Sequence, residues 1–337
     1  MQTIQSNLTV LDNILALNLN ISLWTARKKM TPEDFGGVEL PPDDLATLGS
    51  KRIADPEKLR IFNTLKARAF KFLDKHGIRF MSGWAIPEQK ADIITDELIS
   101  IRQDFFNAKD AFLEAYEENL NAWIAKHNNW AEIIRSSVVS ADYVRSRMDF
   151  RWQIFKVAPL MEHTSTSAVR EAGLAEEVEG LGAALFGEIS KSAEEIWKKV
   201  YMGKTEVTHK ALSPLKTLHE KLIGLTFIEP HVAPVAEIIE TALKQVPARG
   251  NITGASLCML QGLVCLLRDS DSLLLHSQKL IEGYEPADVL GGLVSTPKSG
   301  ANSDEPDDLL PELVDIPELP DLPQIPVRPV LPNMGLW

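Results

Sequence analysis

Two cysteines in 337 residues leave no room for a disulfide framework. Cys258 and Cys265 stand seven apart on one helical run, about 10 Å along its axis, too far to bridge. They read as small core residues of a reduced, cytosolic protein. Metal spacing is missing as well. None of the seven histidines pairs with another histidine or a cysteine at ligand distance, and His219-Glu220 opens a zinc-protease pattern that Ile223 leaves without its second ligand. Gly203-Lys204-Thr205 lacks the upstream glycine of a phosphate loop, its place taken by the Lys198-Lys199 neighbourhood, and no strand precedes it. Gly180, Gly182 and Gly187 fall within a helical pattern, which excludes a dinucleotide fingerprint. No serine or cysteine sits in a nucleophile elbow. The expectation is a protein that is not an enzyme, with no cofactor and no metal.

Long apolar runs are absent too. Leu257 to Leu267 is broken by Gln261 and is too short to cross a bilayer. Met1 to Asn7 has no basic segment leading into an apolar one, so no secretory leader is read there. These lacks point to a cytoplasmic protein with no membrane partner.

What is present is a core-forming body and a charged end. Hydrophobic residues make up 45% of the chain, enough for a sizeable core, and the net charge is −12. From Thr296 onward eight carboxylates face only Lys298 and Arg328, so half of that excess lies on the last eighth of the chain. Nine of 20 prolines also lie there, with Pro317, Pro320, Pro323, Pro326, Pro329 and Pro332 spaced by three. Such spacing suits extended polyproline II and forbids helix. Residues 291–337 are expected to be a disordered acidic, proline-rich tail, with Met334, Leu336 and Trp337 as a candidate anchor.

Leu15, Leu17, Leu19, Ile21 and Leu23 alternate with smaller or polar residues, the period of a half-buried strand. Gly49 to Ile53 suggests a short second strand. Asp55-Pro56-Glu57 is a helix start, and Leu59, Phe62, Leu65, Ala69, Phe72 and Leu73 carry that helix to Gly77. Ile78 to Trp84 then reads as a third strand. Residues 8–87 are therefore expected to form a small α+β head.

Residues 88–285 are expected to be a bundle of long helices. Ile94, Leu98, Ile101, Phe105, Ala108, Phe112 and Ala115 repeat in steps of four and three, a heptad seam within one helix from Ala91 to His127. Trp130 to Val157 is expected to be a second helix. The first carries eight acids against three bases, whereas Arg135 to Lys156 carries five bases against two acids. Opposite charge and a short polar turn predict an antiparallel hairpin, a coiled-coil spacer. Further helices are expected over Ser167–Met202, His209–Phe227, Pro234–Val246 and Ile252–Glu282. The fold class is mainly α, with the α+β head, the hairpin bundle and the tail.

One basic segment stands out. Lys51, Arg52, Lys58, Arg60, Lys66, Lys71, Lys75, Arg68 and Arg79 oppose three acids between residues 51 and 79. With Arg27, Lys28 and Lys29 they form a candidate patch for phosphates or for acidic protein surfaces.

Several segments resemble a known bacterial family. They are Phe35 with Glu39-Leu40-Pro41-Pro42, Leu48-Gly49-Ser50-Lys51, Phe80-Met81-Ser82-Gly83-Trp84-Ala85-Ile86-Pro87, and Trp123-Ile124, His127 and Trp130-Ala131-Glu132-Ile133-Ile134-Arg135. Together they are similar to the domain-of-unknown-function 3150 family over about residues 10–285. Such proteins are encoded by phages and mobile elements, often beside a MoxR-type AAA ATPase and a von Willebrand A domain protein. The resemblance therefore implies a non-catalytic adaptor or scaffold with those partners, and transfers no active site. A nucleic-acid-associated factor using the basic head, or a phage structural protein that homo-oligomerises through its heptads, are the alternatives.

Overall fold

The computed structural model describes residues 9–35, 49–158 and 167–294. The tail and its candidate anchor at Met334, Leu336 and Trp337 lie outside them. The alternating leucines form strand β1 (Ile14–Ser22). Leu17 and Leu19 enter one core with Leu15 and Ile21 packed against it, while Ile14 and Ala16 enter another. Past Leu17 the second face is Asn18, Asn20 and Ser22, all exposed. The strand is thus buried on both faces where it begins and on one face where it ends.

Strands β2 (Arg27–Lys29) and β3 (Ser50–Arg52) pair as a separate antiparallel ribbon. The Asp55 carboxylate accepts the Glu57 N–H at 3.0 Å and caps the turn leading into helix α1 (Arg60–His76). Phe62, Leu65, Ala69 and Leu73 give α1 its buried stripe. The region expected to hold one further strand holds a hairpin, β4 (Ile78–Phe80) and β5 (Gly83–Pro87).

Helix α2 (Ala91–Glu114) carries the heptad seam, but its 24 residues end well short of the expected rod's end at His127. Ala115 takes φ −88° and ψ 9°, and α3 (Tyr116–Lys126) begins after it. From Tyr116 the buried positions step strictly by four, to Leu120 and Ile124, and the Tyr116 hydroxyl donates to the Val139 carbonyl at 2.9 Å. The second hairpin helix is absent. Residues 130–157 instead form short helices α4 (Ala131–Arg135) and α5 (Ala141–Arg147), then strand β6 (Asp149–Phe155). Phe150, Trp152 and Ile154 alternate with Asp149, Arg151 and Gln153, a period of two that fits the open edge of β1 better than a helix. The result is a sheet of order β4-β5-β1-β6, antiparallel throughout, with Leu17 opposite Trp84 on one side and Ile154 on the other.

The acidic helix does meet a basic partner, although not the expected one. Arg68 of α1 bonds Glu97 at 2.7 Å and Asp104 at 2.9 Å on α2. Ile94, Leu98, Ile101, Phe105 and Phe112 pack with α1 and the sheet in a single core, where Phe105 and Phe62 meet edge to face at 5.3 Å. The seam is filled inside the protein.

The other face of the sheet supports a helical layer. It comprises α6 (Ser167–Ile196), a π turn over Trp197–Tyr201, α7 (Ser213–Ile223), α8 (Val232–Gln245), α9 (Gly254–Arg268), α10 (Ser270–Ile281) and α11 (Pro286–Val294). The helix expected over 252–282 is two helices, because the Asp269 carboxylate caps the second by accepting from the Asp271 and Ser272 N–H groups. Gly291 and Gly292, expected to open the tail, lie within α11. Of the three glycines expected to interrupt α6, Gly182 has a close neighbour in Glu229, whereas Gly180 and Gly187, like Gly173 earlier in the helix, face open space. Both cysteines are exposed, a correction to their expected burial. Leu257, Leu260, Leu263, Val264 and Leu267 occupy the inner stripe of α9, and the seven-residue spacing keeps Cys258 and Cys265 together outside it.

Residues to Ser295 form one compact unit. The boundary expected at residue 87 therefore lies between β5 and α2, which share a core. The fold is mainly helical, with a small sheet contributed mostly by its first third.

The two layers also touch directly where α1 ends. Lys75 pairs with Glu220 at 2.9 Å, Lys90 donates to the Glu220 carbonyl at 3.1 Å, and Lys221 donates to the Asp74 carbonyl at 2.7 Å while pairing with Glu188. His76 sits among these cations. Burial, then Lys90 and Lys75, push its pKa down to about 4.

Two outcomes follow. A β-carbon at residue 83 would run into the Leu17 carbonyl of the neighbouring strand, so Gly83→Ala should lower stability by about 1–3 kcal/mol in urea unfolding. An unchanged midpoint would contradict the close approach. His76 stays neutral when folded, whereas an unfolded histidine takes its proton near pH 6.5. Its contribution to stability is complete above that value, declines as pH falls, and levels off below about 4. His76→Phe should flatten this slope; an identical slope in the variant would place the titration elsewhere.

Candidate interaction surfaces

The nine bases of the sequence-predicted patch are divided among several surfaces. Arg68 is held by α2, Lys75 by Glu220 and Arg60 by Glu57 at 3.7 Å. Arg79 pairs with Asp74 at 3.1 Å and lies 3.9 Å over the Trp84 ring. Lys51 pairs with Asp34, and that contact holds the Asp34 carboxyl below the usual carboxylate range. Lys58, Lys66, Lys71 and Arg52 have no ion-paired acid among the described residues, and Lys66 lies 5.6 Å from the Phe70 ring centre. Five of the nine bases are therefore already paired with acids of the chain itself.

A more concentrated feature is the β2–β3 ribbon. Buried Ala26 turns the chain out of β1 with φ 53°, a left-handed value rare for a residue with a β-carbon. Arg27 then stands opposite Arg52, Lys28 opposite Lys51, and Lys29 opposite Ser50. Pairing extends at both ends, through Ile53 N–H to Ala26 at 2.9 Å and Met30 N–H to Gly49 at 3.1 Å. Like charges directly opposite each other weaken a strand pair.

Each side of the ribbon borders a hollow. On one side Met30, Phe35, Trp123, His127, Trp130, Ile133 and Ile134 line a space of about 340 Å³, rimmed by Lys51 and Arg52. Trp130 is 63% exposed and Phe35 45%. Trp123 is fixed by donating its indole N–H to the Arg52 carbonyl at 3.3 Å and by the His127 ring at 4.3 Å. Among the described residues the lining carries no carboxylate, hydroxyl or thiol. It offers apolar contact area on a fixed frame, and little else.

On the other side lies a hollow of about 620 Å³ bordered by Ser22, Trp24, Thr25, Arg27, Lys28, Ile53, Val139 and, from α5, Tyr143, Ser146 and Arg147. Among the described residues its polar lining is three cations and four hydroxyls, with no carboxylate. Ser140 caps α5 by accepting the Tyr143 N–H at 3.2 Å, which fixes the short helix that presents the last three of these groups.

The aromatic hollow was not foreseen as a site. Its signal was available in the closeness of Trp123, His127 and Trp130, three rings within eight residues. The basic hollow needed the knowledge that residues 141–147 return to the ribbon.

A family model described as "Protein of unknown function (DUF3150)" matches residues 11–269. The chain belongs to this family. Its matched region ends at Asp269, the cap of α10, and so takes in the whole sheet, the ribbon and both hollows. No curated protein and no solved structure matches the chain. In this DUF3150 protein Phe35, Lys51, Trp123, His127, Trp130, Ile133 and Ile134, which come from three separate segments of the resemblance, meet at the aromatic hollow. Among the described residues no helix is long and apolar enough to cross a membrane.

Proposed function

We propose that this DUF3150 protein is a non-catalytic adaptor that docks a protein partner at the aromatic hollow. The observation that carries the reading is the exposure of Trp130 and Phe35 beside the fixed ring of Trp123. Large aromatic groups held open on a packed frame are the usual anchors of protein interfaces. Arg52 on the rim, without an acidic partner among the described residues, favours a partner whose surface is acidic there. The partner we propose is the MoxR-type AAA ATPase implied by the family resemblance, with the von Willebrand A domain protein as a further member of the assembly. The protein itself would supply position, and the ATPase the turnover.

Mixing the purified protein with the ATPase encoded beside it, followed by mass measurement and titration, tests this reading. The wild type should form a complex. Trp130→Ala combined with Phe35→Ala should weaken it about 30-fold or more, as loss of an anchor of about 2 kcal/mol requires. Both side chains are already exposed, so the variant should keep its thermal midpoint. No complex with the wild type, or equal affinity in the folded variant, would overturn the proposal.

A further inference from the structure

We infer that the basic hollow between the β2–β3 ribbon and α5 binds the phosphodiester backbone of a single-stranded nucleic acid. This is a second surface, separate from the aromatic hollow, and the inference does not rest on the protein-docking reading. Its first support is chemical. Arg27, Lys28 and Arg147 line the hollow with the hydroxyls of Ser22, Thr25, Tyr143 and Ser146, and among the described residues no carboxylate borders it. Cations and hydroxyls are the groups that hold phosphate oxygens.

The second support is electrostatic. Arg27 faces Arg52 and Lys28 faces Lys51 across the ribbon. Asp34 pairs with Lys51 and lies within the field of Lys28, while Arg27, Arg52 and Arg147 have no ion-paired acid among the described residues. The one acid of α5, Asp142, is engaged by Arg145 at 4.0 Å. A ribbon that opposes like charges gains stability when a polyanion lies along it.

The third support is shape. The cations continue from the hollow onto the ribbon, so they suit an extended polyanion better than one isolated phosphate. They are set in a concave space, which a flexible strand can enter and a stiff duplex rod cannot follow. Tyr143, 43% exposed with the Arg147 guanidinium 5.1 Å from its ring centre, stands at the edge. An aromatic ring backed by arginine is a platform for a base. Arg27 and Arg147 would hold the backbone, Tyr143 would stack one base, and sequence would count for little.

The test is fluorescence anisotropy of the full chain with a labelled oligothymidylate of about 16 nucleotides, the upper end of a single-module site. The matching duplex, a nucleoside monophosphate and a polyglutamate peptide serve as competitors. The wild type should bind with a log–log salt slope of about −2, the value for three phosphates neutralised on a single strand. Arg27→Gln with Arg147→Gln should weaken binding about tenfold or more and bring the slope nearer to −1. Tyr143→Leu should weaken it with the slope unchanged, and Arg60→Gln, which removes one positive charge elsewhere, should leave it alone. Should the double variant melt early, Arg147→Gln alone, at the exposed end of α5, gives the same reading. Absence of binding, tighter binding of the duplex, equal competition by the monophosphate or by polyglutamate, or full affinity in the folded arginine variant would each overturn the proposal.

Discussion

Strand β1 is the constraint on which the rest depends. It sits between β5 and β6, and its first half is covered on both faces, by Ile14 and Ala16 on one side and Leu15 and Leu17 on the other. A backbone so enclosed has no access to water, so its N–H and C=O groups must find partners in neighbouring strands. The two strands that supply them bring their own layers. β5 arrives with α1 behind it and α2 ahead, and β6 arrives from the acidic helix by way of α5. Both hollows lie beyond the end of β1 because the ribbon is its direct continuation through Ala26. The surfaces assigned to partners are loops and short elements carried by the most enclosed strand in the protein.

The parts of this arrangement legible in the sequence were those with a local cause. The alternation of leucines, the Asp55-Pro56 cap and the three-four stripe of α1 are each settled within a few residues, and all are present. The heptad seam was read correctly as a buried stripe, yet its partner was not. Charge complementarity pointed to the segment after it, and the acids of α2 in fact meet Arg68 of the preceding helix. Period two in Phe150, Trp152 and Ile154 was visible, but it was outweighed by the helical context assumed around it. Strand β6 exists because β1 has an open edge, a fact located more than a hundred residues away.

The sites follow the same division. Bases can be counted from the sequence, but whether each is free depends on acids from distant elements. Glu97, Glu220 and Asp34 remove three of the nine from consideration, and no spacing rule announces those pairs. The hollows were harder still. Trp123 and Trp130 meet Phe35 only because the ribbon folds back against α3 and α4, and Arg147 meets Arg27 only because β6 returns along β1. The cysteines show the converse: their spacing was right and their assigned side of the helix was wrong, because the face of α9 that is buried is decided by its neighbours.

The pairing of β1 with β6 has a further consequence for how the protein is made. Ser22 meets Asp149 and Ala16 meets Phe155, so a strand that leaves the ribosome early must wait for one that emerges after all five helices α1 to α5. Synthesis at about 5–20 residues per second puts several seconds between the two. During that interval β1 has an uncovered edge and an apolar face, the features that attract foreign strands. The nascent chain can shelter β1 against the β4–β5 hairpin and α1, which are complete by residue 87. The hairpin that forms one side of the finished sheet is thus complete in the chain well before β6.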